Sequence, residues 1–172
     1  MLPTYEHPIK FIIPGVVPAL KNRRAAYVTK NGGIATRPNF DVERSVLSIK
    51  AAFNRQLESL GLPRPLITEP HQAAVFMVVG VHSVSNIPNQ DLDNAVTTLQ
   101  EAMQGSVLPG PEHKGDRLVY GLVCVRRPFA ERRLVHSVVY VWASDRPSVD
   151  RFIKEAGEFL RYLEHVRFKS FT

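Results

Sequence analysis

The segment Ala73–His82 constrains the fold most, because nearly all of its residues are apolar and several are valines. A run of this length is too short to span a membrane, which takes about 20 apolar residues. It fits a central β-strand that is buried on both faces. With 172 residues, of which 44% are hydrophobic, the chain is long enough for one well-filled core. We therefore expect a single domain covering residues 1–172.

Strand and helix patterns alternate along the rest of the chain. Strands are predicted over 8–17, 117–127 and 134–142, and the last two are expected to form a hairpin joined by a polar turn. Helices are predicted from about Asn39 to Leu60, from Asp91 to Met103 and from Pro147 to Leu163, with residues 164–172 as a tail that can fray. The sequence thus predicts an α+β fold, a small mixed sheet of about four strands packed with two to three helices.

An acidic helix start follows the apolar strand. Leu92, Val96, Leu99 and Met103 recur at the spacing of a buried helical stripe, which places Asp91 and Asp93 in or just before the first turn. Carboxylates are favoured at that position as caps, and one carboxylate is enough for that role. Two carboxylates in a loop-to-helix transition can also converge on Mg²⁺. From the residues alone, both interpretations stay open.

One basic segment lies in the N-terminal part of a chain with net charge +6 and a pI near 9.7. The segment 18–38 contains no acidic residue and surrounds Asn31-Gly32-Gly33, where 27–28 opposite 34–35 predicts a small hairpin. Its cations are Lys21, Arg23, Arg24, Lys30 and Arg37. Such residues make phosphate contacts with nucleic acids, although a solvated basic loop has the same composition.

The chain has one cysteine, Cys124, which excludes a disulfide framework and a cysteine-based zinc cluster. It also lacks an apolar run of membrane-spanning length and the charged-then-apolar order of a signal peptide. We therefore expect a cytoplasmic protein without a membrane partner.

Several motifs resemble the RusA family of Holliday junction resolvases. The resemblance rests on Asp91-x-Asp93-Asn94, on Glu101-Ala102-Met103 further along the same helix, and on Gly115-Asp116-x-x-Val119 before the next strand. It extends over most of the chain from Phe11 to Trp142, and RusA-like proteins carry a similar basic loop after their first strand.

The resemblance implies a homodimeric endodeoxyribonuclease that resolves four-way junctions or related branched DNA by paired nicks. Asp91, Asp93 and Asp116 would be catalytic and would bind Mg²⁺, or alternatively Mn²⁺. Lys114 and Arg117 would join the basic segment in contacting DNA. A two-fold symmetric protein would present two equal sites to two equal strands.

Two positions depart from the family pattern. Thr97 stands where the family has a lysine, and Gly115 stands where it usually has the first aspartate of a pair. Lys114, Arg117 or a cation of the segment 18–38 can replace the lysine. Three alternatives remain: a nuclease for flaps or nicks, a branched-DNA-binding protein without catalysis, and a basic domain whose aspartates only cap a helix.

Overall fold

The computed structural model describes residues 2–18, 24–38, 40–82, 92–113, 115–129 and 136–169. The strands are β1 (Ile9–Pro14), β2 (Arg24–Val28), β3 (Ile34–Pro38), β4 (Gln72–His82), β5 (Val119–Phe129) and β6 (His136–Ser144). The helices are α1 (Phe40–Ser59), α2 (Leu92–Met103) and α3 (Val149–Lys169), and two short 3-10 turns, Pro111–His113 and Gly115–Leu118, precede β5.

Four strands form a mixed sheet in the order β1-β6-β4-β5. β6 pairs antiparallel with both β1 and β4, whereas β5 runs parallel to β4. The apolar segment that becomes β4 is therefore an interior strand, and residues 73–77 are all buried. The predicted α+β fold with about four strands and three helices is confirmed.

The predicted hairpin between β5 and β6 is wrong, because β4 lies between these two strands. The physical reason is the crossover through α2. A helix that follows one strand returns the chain to the edge where that strand began, so the next strand runs parallel to the first. β6 then pairs with the other side of β4. An apolar strand pattern does not specify which strand will be the neighbour.

The sheet is covered on both faces. Alternate side chains of each strand point in opposite directions, so each face contributes to its own apolar cluster. Ala73, Val75, Met77 and Val79 of β4 face α1 and α2 together with Ile49, Phe53, Ala95, Leu99 and Met103. Ala74 and Phe76 face the opposite side, where Trp142 of β6 and Phe159 of α3 complete a second cluster. α1 and α2 therefore form one layer, which includes Asp93 of α2, and α3 forms the other layer.

The helix ends follow from identifiable residues. α1 ends at Ser59 and is followed by Gly61, which has φ +63°; the amides of Gly61 and Leu62 donate to the carbonyls of Glu58 and Leu57. Ser148, rather than Pro147, caps α3 through its hydroxyl oxygen. α3 continues to Lys169 and includes most of the tail 164–172 that was expected to fray. None of the described helices combines the length and apolar character that a membrane span requires.

The small hairpin predicted in the basic segment is confirmed. β2 and β3 pair antiparallel, with Tyr27 opposite Ala35 and Val28 opposite Ile34. These strands form their own two-stranded sheet and are not part of the main sheet.

Candidate functional site

α2 places Asp93 in its first turn, as the apolar stripe predicted. Positions 93, 97 and 101 succeed one another at steps of four, so Asp93, Thr97 and Glu101 lie along one face of the helix. The Thr97 hydroxyl donates to the carbonyl oxygen of Asp93 at 2.8 Å. Asp91 lies outside the described residues.

An open groove of about 430 Å³ lies beside this face of α2. It is lined by Val46, Leu47, Lys50, Thr97, Gln100, Glu101, Gln104, Pro111 and Asp116. The groove therefore brings Asp116 together with Thr97 and Glu101, although Asp116 is separated from both in the sequence. Asp93 is about 6 Å before Thr97 along the helix axis, the rise of four residues.

The parallel pairing of β4 and β5 explains this arrangement. β5, the strand that follows Asp116, is the direct neighbour of β4, the strand that ends at His82. Val119 pairs near Ala73, at the start of β4, whereas His82 pairs with Phe129 at the far end. Because α2 returns the chain from the end of β4 to the start of β5, Asp116 lies beside the second half of α2.

Gly115 has a structural reason for being glycine. A Cβ atom at this buried position would overlap the carbonyl oxygen of Pro109. The loop between α2 and β5 therefore occupies the space in which a side chain would begin. An aspartate at position 115, as in the RusA pattern, would require this loop to move.

Lys50 is a groove residue outside the set of predicted site residues. It lies on α1 and lines the groove together with Asp116 and Thr97. Its ammonium nitrogen is 2.9 Å from the position that a Cβ atom of Gly105 would occupy. The only sequence signal is its place beside the apolar stripe of α1, next to Ile49, because the packing of α1 on α2 brings it into the groove.

Asn94, the residue after Asp93, is a buried polar residue at the start of α2. Its side chain is only 3% exposed, and its Oδ1 atom has no hydrogen-bond partner among the described residues. Buried amide oxygens are normally bonded. Within the described part of the chain, Asn94 therefore carries a buried, unpaired acceptor directly after Asp93, and it does not line the groove.

Thr98 connects α2 to the start of the basic segment. Its hydroxyl lies 2.6 Å from the carbonyl oxygen of Pro18 and 3.0 Å from that of Asn94. The chain immediately before residues 19–23 is thus held against the buried side of α2.

The predicted DNA-contacting residues have different outcomes. Lys21, Arg23 and Lys114 lie outside the described residues. Arg24 and Arg37 lie in paired strands at the base of the β2–β3 hairpin, and Lys30 is exposed in its turn. Arg117 is exposed and directly follows Asp116. Arg117 follows a residue that lines the groove, but the lining formed by the described residues does not include Arg117.

A second groove, of about 600 Å³, receives Glu112 and His113 from the loop before β5. The two side chains approach each other to 3.7 Å and are largely exposed. Pro111 and Asp116 line the groove at α2 instead. Glu112 and His113 therefore do not contribute to the Asp116 site.

The described part of the chain contains no cluster of three or more His, Cys, Asp or Glu residues that could hold a metal ion. Asp93, Glu101 and Asp116 are exposed carboxylates. Hard oxygen ligands of this type suit Mg²⁺, which is often bound by one or two carboxylates and completes its coordination with water. The described carboxylates do not form such a cluster, and the predicted metal set includes Asp91, which lies outside the described residues.

A scan against protein-family models gives no match to this chain, and a search of curated proteins gives no significant match.

Proposed function

We propose that this protein is a Mg²⁺-dependent endodeoxyribonuclease that cuts branched DNA, with four-way junctions as its preferred substrate. The observation that supports this proposal most is the groove at α2. It is lined by Asp116, by Lys50, and by Thr97 and Glu101 of the α2 face that also carries Asp93. The motif resemblance to RusA and the basic hairpin point to the same substrate class. We include in the proposal a homodimer and a cytoplasmic location.

Asp91, Asp93 and Asp116 would hold the metal, and Mn²⁺ would be an alternative to Mg²⁺. When bound, the metal would polarise the scissile phosphate and lower the pKa of the attacking water. Lys50 would stabilise the negative charge that develops on the phosphate oxygens, in place of the family's lysine. Arg117, next to Asp116, would hold an adjacent phosphate. Water would break one P–O bond and leave a phosphate and a hydroxyl end.

A second candidate is a branched-DNA-binding protein that does not cut. Two observations favour it. The Thr97 hydroxyl brings no charge and is bonded to the carbonyl of Asp93. Gly115 cannot be replaced by aspartate unless the Pro109 backbone shifts. Under this proposal the fold and the DNA contacts would persist without hydrolysis.

The test is cleavage of an end-labelled four-way junction by the wild type and Asp93→Asn, with Mg²⁺, with Mn²⁺ and with chelator. Asp150→Asn is the matched control, because Asp150 occupies the first turn of α3 on the opposite side of the sheet. Both substitutions remove a carboxylate from a helix start. We expect Asp93→Asn to lose about 100-fold or more of the activity, as loss of a metal ligand does, and Asp150→Asn to cut normally.

The outcomes separate the candidates. Paired, symmetric nicks that require both metal and Asp93 would support a junction nuclease, and comparison with flap and linear substrates would define its preference. Tight binding without cutting would support the second candidate. If Mg²⁺ neither raises the melting temperature nor promotes cutting and no junction is bound, the aspartates serve only as helix caps. Sedimentation of the wild type would test the dimer.

A further inference from the structure

The end of the β2–β3 hairpin exposes large apolar side chains. Val28 is 72% exposed and Ile34 is 80% exposed, and the two residues are direct cross-strand partners. Cross-strand partners point to the same face of a ribbon, so these side chains form one apolar pair. Tyr27 is one residue before Val28 and therefore points to the other face, where it is 45% exposed. The ribbon thus presents apolar groups on both faces.

The turn that closes this hairpin is well defined. The Thr29 amide donates to the Gly33 carbonyl at 2.7 Å, and the Gly33 amide donates to the Thr29 hydroxyl oxygen at 3.0 Å. Gly32 has φ +78°, a conformation that glycine adopts at low cost. The hairpin makes few contacts with other helices and strands. It is therefore an ordered ribbon, one backbone layer thick, whose apolar end is not covered by the described part of the protein.

The charges of the hairpin indicate what contacts it. Residues 24–38 include Arg24, Lys30 and Arg37 and no acidic residue. Arg24 and Arg37 occupy positions at the base of the ribbon and Lys30 a position in its turn, so basic residues stand on both sides of the apolar pair along the ribbon. Nucleic acids match this pattern, because phosphates surround apolar base faces. Apolar side chains are inserted between bases by several DNA-bending proteins.

We propose that the β2–β3 hairpin is a wedge that inserts Val28 and Ile34 against base faces at the branch point of DNA, while Lys30 contacts a phosphate. This inference rests on the proposed function, since it requires a branched DNA substrate. It assigns to the hairpin the unstacking of bases, which is a different task from the hydrolysis assigned to the groove.

The experiment uses a four-way junction with 2-aminopurine beside the branch point, bound by the full chain in Ca²⁺ to separate binding from cutting. Unstacking of this base raises its fluorescence. The variant is Val28→Thr/Ile34→Thr, which keeps β-branched side chains and so preserves the strands. The control is Val149→Thr/Ile153→Thr, the same chemical changes at two exposed positions of α3. Binding is measured separately by fluorescence anisotropy of an end label.

We expect the wild type and the control to raise the fluorescence several-fold at saturation. The hairpin variant should lose most of this increase while its affinity changes by less than about tenfold, because phosphate contacts dominate affinity. Lys30→Gln should show the reverse. It should bind more weakly, with a slope of log affinity against log salt concentration that is smaller by about one, and should give a normal fluorescence increase at saturation.

An unchanged increase in the hairpin variant would overturn the wedge, as would wild-type binding without any increase. In either case, loss of self-association in the hairpin variant by sedimentation would reassign the apolar pair to a contact between protein copies. Absence of junction binding by the wild type would instead reject the proposed function itself and, with it, this inference.

Discussion

Trp142 of β6 donates its indole N–H to the carboxylate of Glu155 on α3 at 3.0 Å. Glu155 is only 4% exposed, and the same carboxylate accepts from the Tyr120 hydroxyl at 3.2 Å and from Nε of Arg151 at 2.6 Å. Three donors from β5, β6 and α3 thus meet at one buried carboxylate. This cluster joins α3 to the sheet on the side opposite the groove.

Glu155→Gln should destabilise the protein by about 1–3 kcal/mol, because an amide presents one acceptor oxygen to three donors and removes the charge that pairs with Arg151. Urea unfolding measures the change. Glu164→Gln, an exposed position on the same helix, should change stability by less than about 0.5 kcal/mol. Equal effects of the two variants would contradict a role for the Glu155 cluster in holding α3.

The buried tyrosine Tyr120 should make the free energy of unfolding depend on pH in the alkaline range. Burial, and then the nearby Glu155 carboxylate, raise the pKa of Tyr120 from 10.0 to about 12. Above pH 10 the unfolded chain loses this proton and the folded chain keeps it, so stability falls as pH rises from 10 to about 12. Tyr120→Phe should make this decline shallower, and Tyr162→Phe, at an exposed tyrosine, should not. Urea unfolding across this range tests the comparison, and identical slopes would exclude Tyr120 as the cause.

Replacement by alanine should have opposite effects on stability at Gly121 and at Gly157. A Cβ atom at Gly121 would overlap the ring of Phe152, so Gly121→Ala should push α3 from the sheet and cost about 1–3 kcal/mol. Gly157 lies in α3 with no atom within 4 Å of an added Cβ, so Gly157→Ala should stabilise by about 0.5–1 kcal/mol. Thermal and urea unfolding measure both. If Gly121→Ala leaves stability unchanged, α3 shifts easily. If Gly121→Ala destabilises the protein, adding Phe152→Leu should restore part of the lost stability.

Substitution of Lys50 should change the rate of DNA cleavage without a matching change in DNA affinity. If its ammonium group stabilises the reacting phosphate, Lys50→Ala should reduce the rate of junction cleavage by about 100-fold with little change in junction affinity. Lys50→Arg should recover part of the rate, and Lys154→Ala on the exposed side of α3 should have no effect. Single-turnover kinetics at saturating enzyme separate the two quantities. Wild-type rates for Lys50→Ala would return the role to Arg117 or to a cation outside the described residues.

Gln56 of α1 protects the edge strand β1. Its amide oxygen accepts from the Ile12 amide at 2.9 Å, and its amide nitrogen donates to the Ile12 carbonyl at 3.0 Å, so it replaces a neighbouring strand. Gln56→Ala should cost about 1 kcal/mol and leave an open edge that promotes association. Unfolding curves and light scattering after mild heating test this. Arg55→Ala, an exposed neighbour on α1, is the control, and an equal increase in scattering there would refute the edge argument.

Local patterns predicted much of the secondary structure. The apolar run 73–82 became an interior strand, and the stripe through Leu92 and Met103 became a helix with Asp93 in its first turn. These predictions succeed because residues two, three or four positions apart determine which face of a strand or helix is apolar. The apolar residues of α3 divide into two groups, with Phe152 and Phe159 packed on the sheet and Val149 and Ile153 exposed.

Long-range relationships were beyond such patterns. The expected β5–β6 pairing was wrong because β4 lies between these strands and pairs with both, and an apolar pattern along a strand does not specify its partners at the two edges. The placement of Lys50 in the groove depends on how α1 packs on α2, and its sequence neighbours are compatible with an ordinary solvent face.

The sequence by itself determined where the strands and helices lie, that β4 is buried on both faces, and that carboxylates gather at the start of α2. Only the tertiary structure decided that β5 runs parallel to β4, that Asp116 shares a groove with Lys50 and the Asp93 face of α2, and that the Pro109 carbonyl leaves no room for a side chain at Gly115. The physical reason is that periodicity records the contacts of near neighbours in the chain. The groove depends on contacts between segments that are distant in sequence, and these are set by how whole layers pack.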